Sequence, residues 1–143
     1  MRFKLITTCT LMVLSLCLYA CNNVVDTKTL EDITWVLESY GEQSNLQVVL
    51  EATEITATFN SSEDTVRGSS GCNTYGGVYE VDGSKLSISN IYYTEMACIE
   101  PEGVMEQETE YLSLLSNTES YEIIDGKLRI TTAIGILTFS TKK

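Results

Sequence analysis

Histidine is absent from the whole 143-residue chain. It is the usual general base, the usual partner of a nucleophilic cysteine and a common zinc ligand. Its absence argues against a Cys–His nucleophile and, with so few cysteines, against a structural zinc site. With 20 acidic residues a carboxylate pair could still exist, but none has a distinctive context. We therefore expect a protein that is not an enzyme and that has no catalytic residues, cofactor or metal.

Basic residues are also scarce, with nine Lys and Arg against 20 Asp and Glu and a formal net charge of −11. Such a balance argues against nucleic acid and anionic lipid headgroups as partners. The acidic residues are spread along the chain, a pattern typical of a solvated surface rather than of a calcium cage. The length suits one domain with one core.

Long apolar runs are limited to one, residues 5–20, which follows the basic Arg2 and Lys4. This layout is typical of a secretory signal, and the run is short for a membrane span. It ends at Leu18-Tyr19-Ala20-Cys21, which resembles the lipobox of bacterial lipoproteins apart from the bulky Tyr19. An ordinary signal peptide cleaved nearby, or an uncleaved anchor, is the alternative.

The lipobox interpretation predicts that Cys21 is lipidated and becomes the mature N-terminus. Asn22, the residue after Cys21, would favour localisation in the outer membrane. Residues 1–20 would then be the lipoprotein signal peptide, residues 21–31 a tether, and residues 32–143 the folded domain. The predicted partners are the membrane, through the lipid anchor, and an envelope protein.

The chain has five cysteines, of which three remain after removal of the signal peptide. If Cys21 carries lipid, Cys72 and Cys98 are left as one pair in an oxidising compartment. A disulfide between them is the expected outcome.

A glycine-rich stretch, GSSGCNTYGG, covers Gly68–Gly77 and invites a catalytic interpretation. A phosphate-binding loop would need a lysine after the glycines and a following helix, and the next segment has the pattern of a strand. Cys72 lacks a histidine to activate it. We therefore interpret the stretch as a corner where glycines let the sheet bend or bulge.

Most of the remaining chain alternates between apolar and polar residues, as strands do. Asp82-Gly83 and Asp125-Gly126 are strong hairpin signals, and only the segment Pro101–Asn117 has helical spacing. These patterns predict a mainly β (α+β) fold in which an antiparallel sheet curls into a partly open barrel with one helix packed on it. The predicted strands are residues 33–40, 46–50, 55–60, 77–81, 85–91, 120–124, 127–132 and 136–140, with an extended segment at residues 65–71.

Two sets of side chains in this pattern have more than one interpretation. Glu108 falls on the apolar stripe of the helix, and we expect its side chain to reach solvent rather than to be a buried carboxylate bonded to backbone amides. Five apolar residues could line a ligand cleft in the barrel mouth, or could simply fill the core, which is the favoured interpretation. They are Ile55, Phe59, Tyr92, Tyr93 and Met96.

The chain resembles the META domain family, also called HslJ-like, over about residues 30 to 141. The resemblance rests mainly on Gly71-Cys72-Asn73-x-Tyr75-x-Gly77 followed by Thr94-x-Met96-Ala97-Cys98. Trp35-x-Leu37 and Gly135-x-Leu137-x-Phe139 support it at the two ends of the domain. It implies a cracked antiparallel barrel with a helix, small and often lipid-anchored envelope proteins of Gram-negative bacteria, and no known reaction.

Members of the family are linked to stress responses, and the fold is similar to that of lipid-binding pilot proteins. The resulting hypothesis is a non-enzymatic outer membrane lipoprotein that acts as a binding or stability module in envelope maintenance. A lipid- or peptide-binding carrier is the alternative.

Overall fold

The computed structural model describes residues 30–142. The predicted signal peptide and Cys21 lie outside the described residues. Within residues 30–142, no helix has the length and apolar character needed to cross a membrane. The elements are β1 (Thr34–Glu42), β2 (Asn45–Val48), β3 (Thr56–Asn60), β4 (Thr65–Ser69), β5 (Thr74–Asp82), β6 (Lys85–Tyr93), α1 (Val104–Ser116), β7 (Thr118–Ile124), β8 (Lys127–Thr132) and β9 (Gly135–Thr141).

Eight of the strands form a closed antiparallel barrel. Strand β1 closes it by pairing with β3 on one edge and with β9 on the other. Strand β2 is an extra strand paired with the second half of β1. The shortest strand pairing is that between β6 and β7, which pair at Lys85 and Ser120. The structure confirms the predicted β barrel with one helix.

The barrel interior follows the alternation of the strands. In β3, Ala57 and Phe59 are fully buried, and in β8, Leu128 and Ile130 are as well. Phe59 meets the ring of Tyr79 edge-on, with 5.2 Å between the ring centroids. Burying a large apolar side chain stabilises a fold by about 1.5–3 kcal/mol relative to exposing it, so these inward residues hold the barrel closed.

The N-terminal end of the barrel includes two residues that the sequence assigns to the tether. Leu30 is fully buried, and its carbonyl oxygen accepts a 2.9 Å hydrogen bond from Trp35 Nε1. Glu31 forms a parallel bridge with Phe59. The packed domain thus includes residue 30, two positions before the predicted boundary at 32. A single leucine in a polar stretch has no periodicity that could predict this.

Helix α1 lies across the opposite end of the barrel. It begins at Val104 rather than at the predicted Pro101, because Gly103 adopts a left-handed conformation (φ 88°) and the Pro101 carbonyl closes a turn with the Val104 N–H. Its buried face packs onto the barrel opening and onto the loops around it. The buried residues of α1 are Val104, Gln107, Glu108, Tyr111, Leu114 and Leu115.

Candidate functional site

A disulfide joins the glycine-rich loop to the segment that leads into the helix. Cys72, between β4 and β5, is bonded to Cys98, with 5.9 Å between the Cα atoms. We call residues 94–103, which connect β6 to α1, the linker. The bond confirms the predicted pairing of Cys72 and Cys98. It also leaves Cys72 without a free thiol, so this residue cannot act as a nucleophile in the oxidised protein.

The side chain of Asn73 holds the linker beside the loop. Its Oδ1 accepts hydrogen bonds of 2.8 Å from the Met96 backbone N–H and from the Thr94 hydroxyl. Its Nδ2 donates to the Met96 carbonyl oxygen at 3.1 Å. The side-chain amide therefore bonds both the N–H and the C=O of Met96, as the backbone of a neighbouring strand would. The amide fixes the linker at Met96, and the disulfide fixes it at Cys98.

Glu108 is the partner that orients Asn73 from the helix. Its carboxylate accepts hydrogen bonds from the Asn73 backbone N–H (2.8 Å), from Asn73 Nδ2 (2.7 Å) and from the Ser70 hydroxyl. Glu108 is only 4% exposed, so the expectation that its side chain reaches solvent was wrong. A buried carboxylate is tolerated here because three donors converge on it.

A cleft of about 610 Å³ lies between the end of β6, the linker and α1, and we call it the β6–α1 cleft. Its walls are largely apolar, while the buried Asn73 and Glu108 form the polar part of its floor. Because the linker is fixed by a disulfide and an amide, the cleft is already formed. The lining residues are Asn73, Ile91, Tyr93, Thr94, Glu95, Met96, Ala97, Met105, Glu108, Thr109, Leu112, Ser113 and Ser116.

A β-bulge decides which tyrosine faces this cleft. The register between β5 and β6 shifts near Asn90, whose backbone is left-handed (φ 52°). The extra residue turns Tyr93 toward α1 and leaves Tyr92 over the backbone of Gly76, outside the cleft. Adjacent tyrosines of a strand lie on opposite faces, and the bulge determines that Tyr93 is the one on the cleft side.

The five predicted cleft residues do not form one site. Tyr93 and Met96 line the β6–α1 cleft. Tyr92 is exposed on the other face, while Ile55 and Phe59 are fully buried in the barrel core, in line with the favoured core interpretation for these two. The position of Asn73 and Glu108 in the cleft was not predicted from the sequence, although the asparagine of the Gly-Cys-Asn motif was a usable signal.

A second groove of about 590 Å³ lies next to this cleft along α1, and we call it the α1–β1 groove. The groove and the cleft share Met105, Thr109 and Ser113 as lining residues. Apolar atoms of Met105 and Leu114 form its floor, Ile134 forms part of the wall that faces the helix, and glutamates line its rim. Burial together with the negative charge of Glu110 raises the pKa of Tyr40 nearby. This groove was not predicted from the sequence. Its remaining lining residues are Gly41, Glu42, Glu106, Thr109, Glu110 and Ser113.

Two tyrosine hydroxyls meet in the barrel interior beneath α1. The hydroxyl oxygens of Tyr75 and Tyr111 are 2.7 Å apart, and Tyr75 also donates to the Thr56 carbonyl oxygen at 2.9 Å. Burial raises the pKa of both hydroxyls above the ordinary tyrosine value. The pair anchors the helix to β5. Over the described part of the chain, acidic and cysteine side chains form no group of three or more placed to hold a metal ion.

A closed antiparallel barrel with one helix across its end, and a Gly-Cys-Asn corner bonded to a Met-Ala-Cys linker, defines a small helix-capped β-barrel domain. The META domain family model matches residues 28–143, and the chain belongs to this family. No significant match was found among curated proteins.

Solved structures share the fold. An NMR structure of a protein from Burkholderia xenovorans is 28% identical, with a TM-score of 0.69, and the match covers 85% of this chain and 89% of that one. A second NMR structure is 20% identical over 79% of this chain and 92% of that one, with a TM-score of 0.60. A crystal structure of a DUF4847 family protein from Bacteroides vulgatus is 16% identical over 81% and 96%, with a TM-score of 0.57. The latter two support the fold alone.

Proposed function

We propose that this chain is a non-enzymatic lipoprotein of the bacterial cell envelope whose META domain binds a partner in envelope maintenance or a stress response. The lipobox-like residues before Cys21 support a lipid anchor in the outer membrane. The disulfide between Cys72 and Cys98 suits an oxidising compartment.

The β6–α1 cleft is the observation that carries the binding role. Its volume of about 610 Å³ is within the usual range for ligand sites, and its apolar walls surround a few placed polar groups. The chain uses a disulfide, an asparagine amide and a buried carboxylate to hold the linker that forms one wall. Tyr93 and Met96 are each more than half exposed there, so apolar surface is presented to a partner.

Site-specific photo-crosslinking in living cells tests this role with a matched control. A benzoylphenylalanine in place of Tyr93 should give a discrete adduct with an envelope protein, whereas the same group in place of Tyr92 should not. Tyr92 is the more exposed of the two, at 63% against 51%, so non-specific labelling would favour it. Equal adducts at both positions, or none at Tyr93, would refute binding in the cleft.

The anchor is tested separately by replacing Cys21 with serine. The wild-type chain should incorporate radiolabelled palmitate and sediment with outer membranes, and the C21S chain should do neither. If the two chains fractionate alike, the lipoprotein assignment is wrong, whatever the crosslinking shows.

A second candidate function, a carrier for a lipid tail or an apolar peptide, is favoured by the same apolar walls. The ligand would lie in the surface cleft and not within the barrel, because Ile55 and Phe59 are packed with no exposed surface. Native mass spectrometry of the delipidated protein should then reveal a copurifying ligand that a Tyr93→Ser/Met96→Ser variant loses. Its absence after exposure to several lipid extracts would count against the carrier.

A further inference from the structure

The α1–β1 groove combines an apolar floor with an acidic rim. Met105, Thr109 and Ser113 follow one another at four-residue intervals and so form a line along the helix beside it. Ile134, in the turn between β8 and β9, is 50% exposed on the facing wall. The groove is therefore elongated, about two helical turns long, and its apolar surface comes from Met105, Leu114 and Ile134.

Within residues 30–142, the rim carboxylates form no ion pair. The ion pairs of residues 30–142 engage Glu38, Glu54, Glu63 and Glu122, none of which lines the groove. Glu110 accepts hydrogen bonds from the neutral amide of Gln47 at 3.0 and 3.2 Å, which leaves its charge uncompensated. Between Lys85 and Lys127 the sequence has nine acidic residues and no lysine or arginine.

We infer that the α1–β1 groove docks a basic amphipathic segment of another protein, with apolar side chains on Met105, Leu114 and Ile134 and lysines or arginines against Glu42, Glu106 and Glu110. The apolar surface of the groove favours apolar side chains, while a rim of one charge selects a partner of the opposite charge and repels acidic segments and anionic membranes. The inference goes beyond the proposed function, because this groove is lined by Gly41, Leu114 and Ile134, none of which lines the β6–α1 cleft, although the two adjoin along the helix.

The position of the groove suits a partner in the aqueous compartment. Chain entry at Leu30 and helix α1 lie at opposite ends of the barrel. Leu30 is nine positions after Cys21, and a fully extended chain of that length spans about 30 Å. An anchor at Cys21 would thus keep the Leu30 end within about 30 Å of the membrane, with the groove at the far end of the barrel. This step rests on the proposed anchor, whereas the charge argument does not.

Peptide binding to the full-length chain, purified from the envelope in a neutral detergent, tests the inference. The probe is a fluorescein-labelled 14-residue peptide with leucines on one helical face and lysines on the other. The reference peptide carries glutamates in place of the lysines. We expect saturable anisotropy changes with the lysine peptide alone, weakening as salt increases.

Substitutions in the groove and at a control site test where the peptide binds. Glu106→Gln/Glu110→Gln should weaken the lysine peptide about tenfold, the effect of two lost ion pairs. Ile134→Ser, which leaves the charge unchanged, should weaken it about threefold through lost apolar contact. The control Glu80→Gln/Asp82→Asn removes the same charge at the other end of the barrel and should change affinity less than twofold.

Three results would overturn the inference. They are equal weakening by both double charge variants, no saturable binding of the lysine peptide, and no effect of Ile134→Ser. Tyr93→Ser/Met96→Ser separates the two sites, because it should leave the peptide affinity unchanged. If that variant abolishes binding, the peptide occupies the β6–α1 cleft and the groove assignment is wrong, while the proposed function stands.

Discussion

Asn73 donates hydrogen bonds to both carboxylate oxygens of Glu108, from its backbone N–H to Oε2 at 2.8 Å and from Nδ2 to Oε1 at 2.7 Å. The two residues are 35 positions apart in the chain, one just before β5 and the other in the middle of α1. Because the same asparagine also bonds the linker at Met96, a single side chain connects the glycine loop, the linker and the helix. The shape of the β6–α1 cleft depends on this connection.

Replacing Glu108 with alanine should destabilise the domain by about 2–5 kcal/mol, since buried donors of Asn73 and Ser70 would lose their acceptor. Glu108→Gln should destabilise the domain less than Glu108→Ala, because the amide keeps one acceptor oxygen. It should still destabilise the domain, because its NH₂ group lies near a donor. Glu106→Ala is the matched control: this glutamate is exposed on the same helix, and the change should stay within about 0.5 kcal/mol. Guanidinium unfolding gives the three values, and equal midpoints for Glu108→Ala and Glu106→Ala would contradict the prediction.

The strands and the helix could be predicted because their signals are local. Leu86 and Ile88 alternate with serines in β6, and the Asp82-Gly83 turn before them is a two-residue hairpin signal. Within such segments, the period of the apolar residues is sufficient to identify the element and its buried face. The order of the hairpins then leads to an antiparallel barrel.

The site was harder to predict because its geometry depends on long-range pairing. The bulge at Asn90 reverses the faces of the following residues, so Tyr93 and not Tyr92 reaches the cleft, and nothing in the alternation marks that shift. Likewise, Glu108 lies on an apolar stripe, where a carboxylate normally extends to water. Its burial is explained only by donors that come from a loop 35 residues earlier.

The disulfide should contribute a large share of the stability of the domain. Cys72 and Cys98 are 26 positions apart, and closing such a loop stabilises a protein by about 3 kcal/mol in the chain-entropy model. Cys72→Ser/Cys98→Ser should therefore unfold at a lower guanidinium concentration, and the wild-type protein with reductant should match it. We expect the folded circular dichroism spectrum to persist, because Asn73 still holds the linker.

Differential alkylation with peptide mapping checks the disulfide itself. In protein taken from the envelope, the peptides carrying Cys72 and Cys98 should react with an alkylating agent only after reduction. Reaction of both before reduction would show that the bond does not form there. It would also remove one support for an extracytoplasmic location.

The buried tyrosines predict a loss of stability at alkaline pH. Burial raises the pKa of Tyr75 and Tyr111 above the ordinary value of about 10, and burial with the nearby Glu31 carboxylate does the same for Tyr79. Above about pH 10 the unfolded chain releases protons that the folded domain retains, so the unfolded state binds fewer protons and the free energy of unfolding falls as pH rises. Below about pH 10 this contribution to stability is complete.

Chemical denaturation between pH 8 and pH 11.5 measures this dependence. Tyr75→Phe/Tyr111→Phe keeps both rings and removes both hydroxyls, so it should lower stability at pH 8 by about 1–2 kcal/mol through the lost hydrogen bonds. Its free energy of unfolding should also decline less between pH 10 and pH 11.5 than that of the wild-type chain, because two of the hydroxyls with a raised pKa are gone. Parallel declines in the two proteins would mean that these tyrosines are not the source of the alkaline sensitivity.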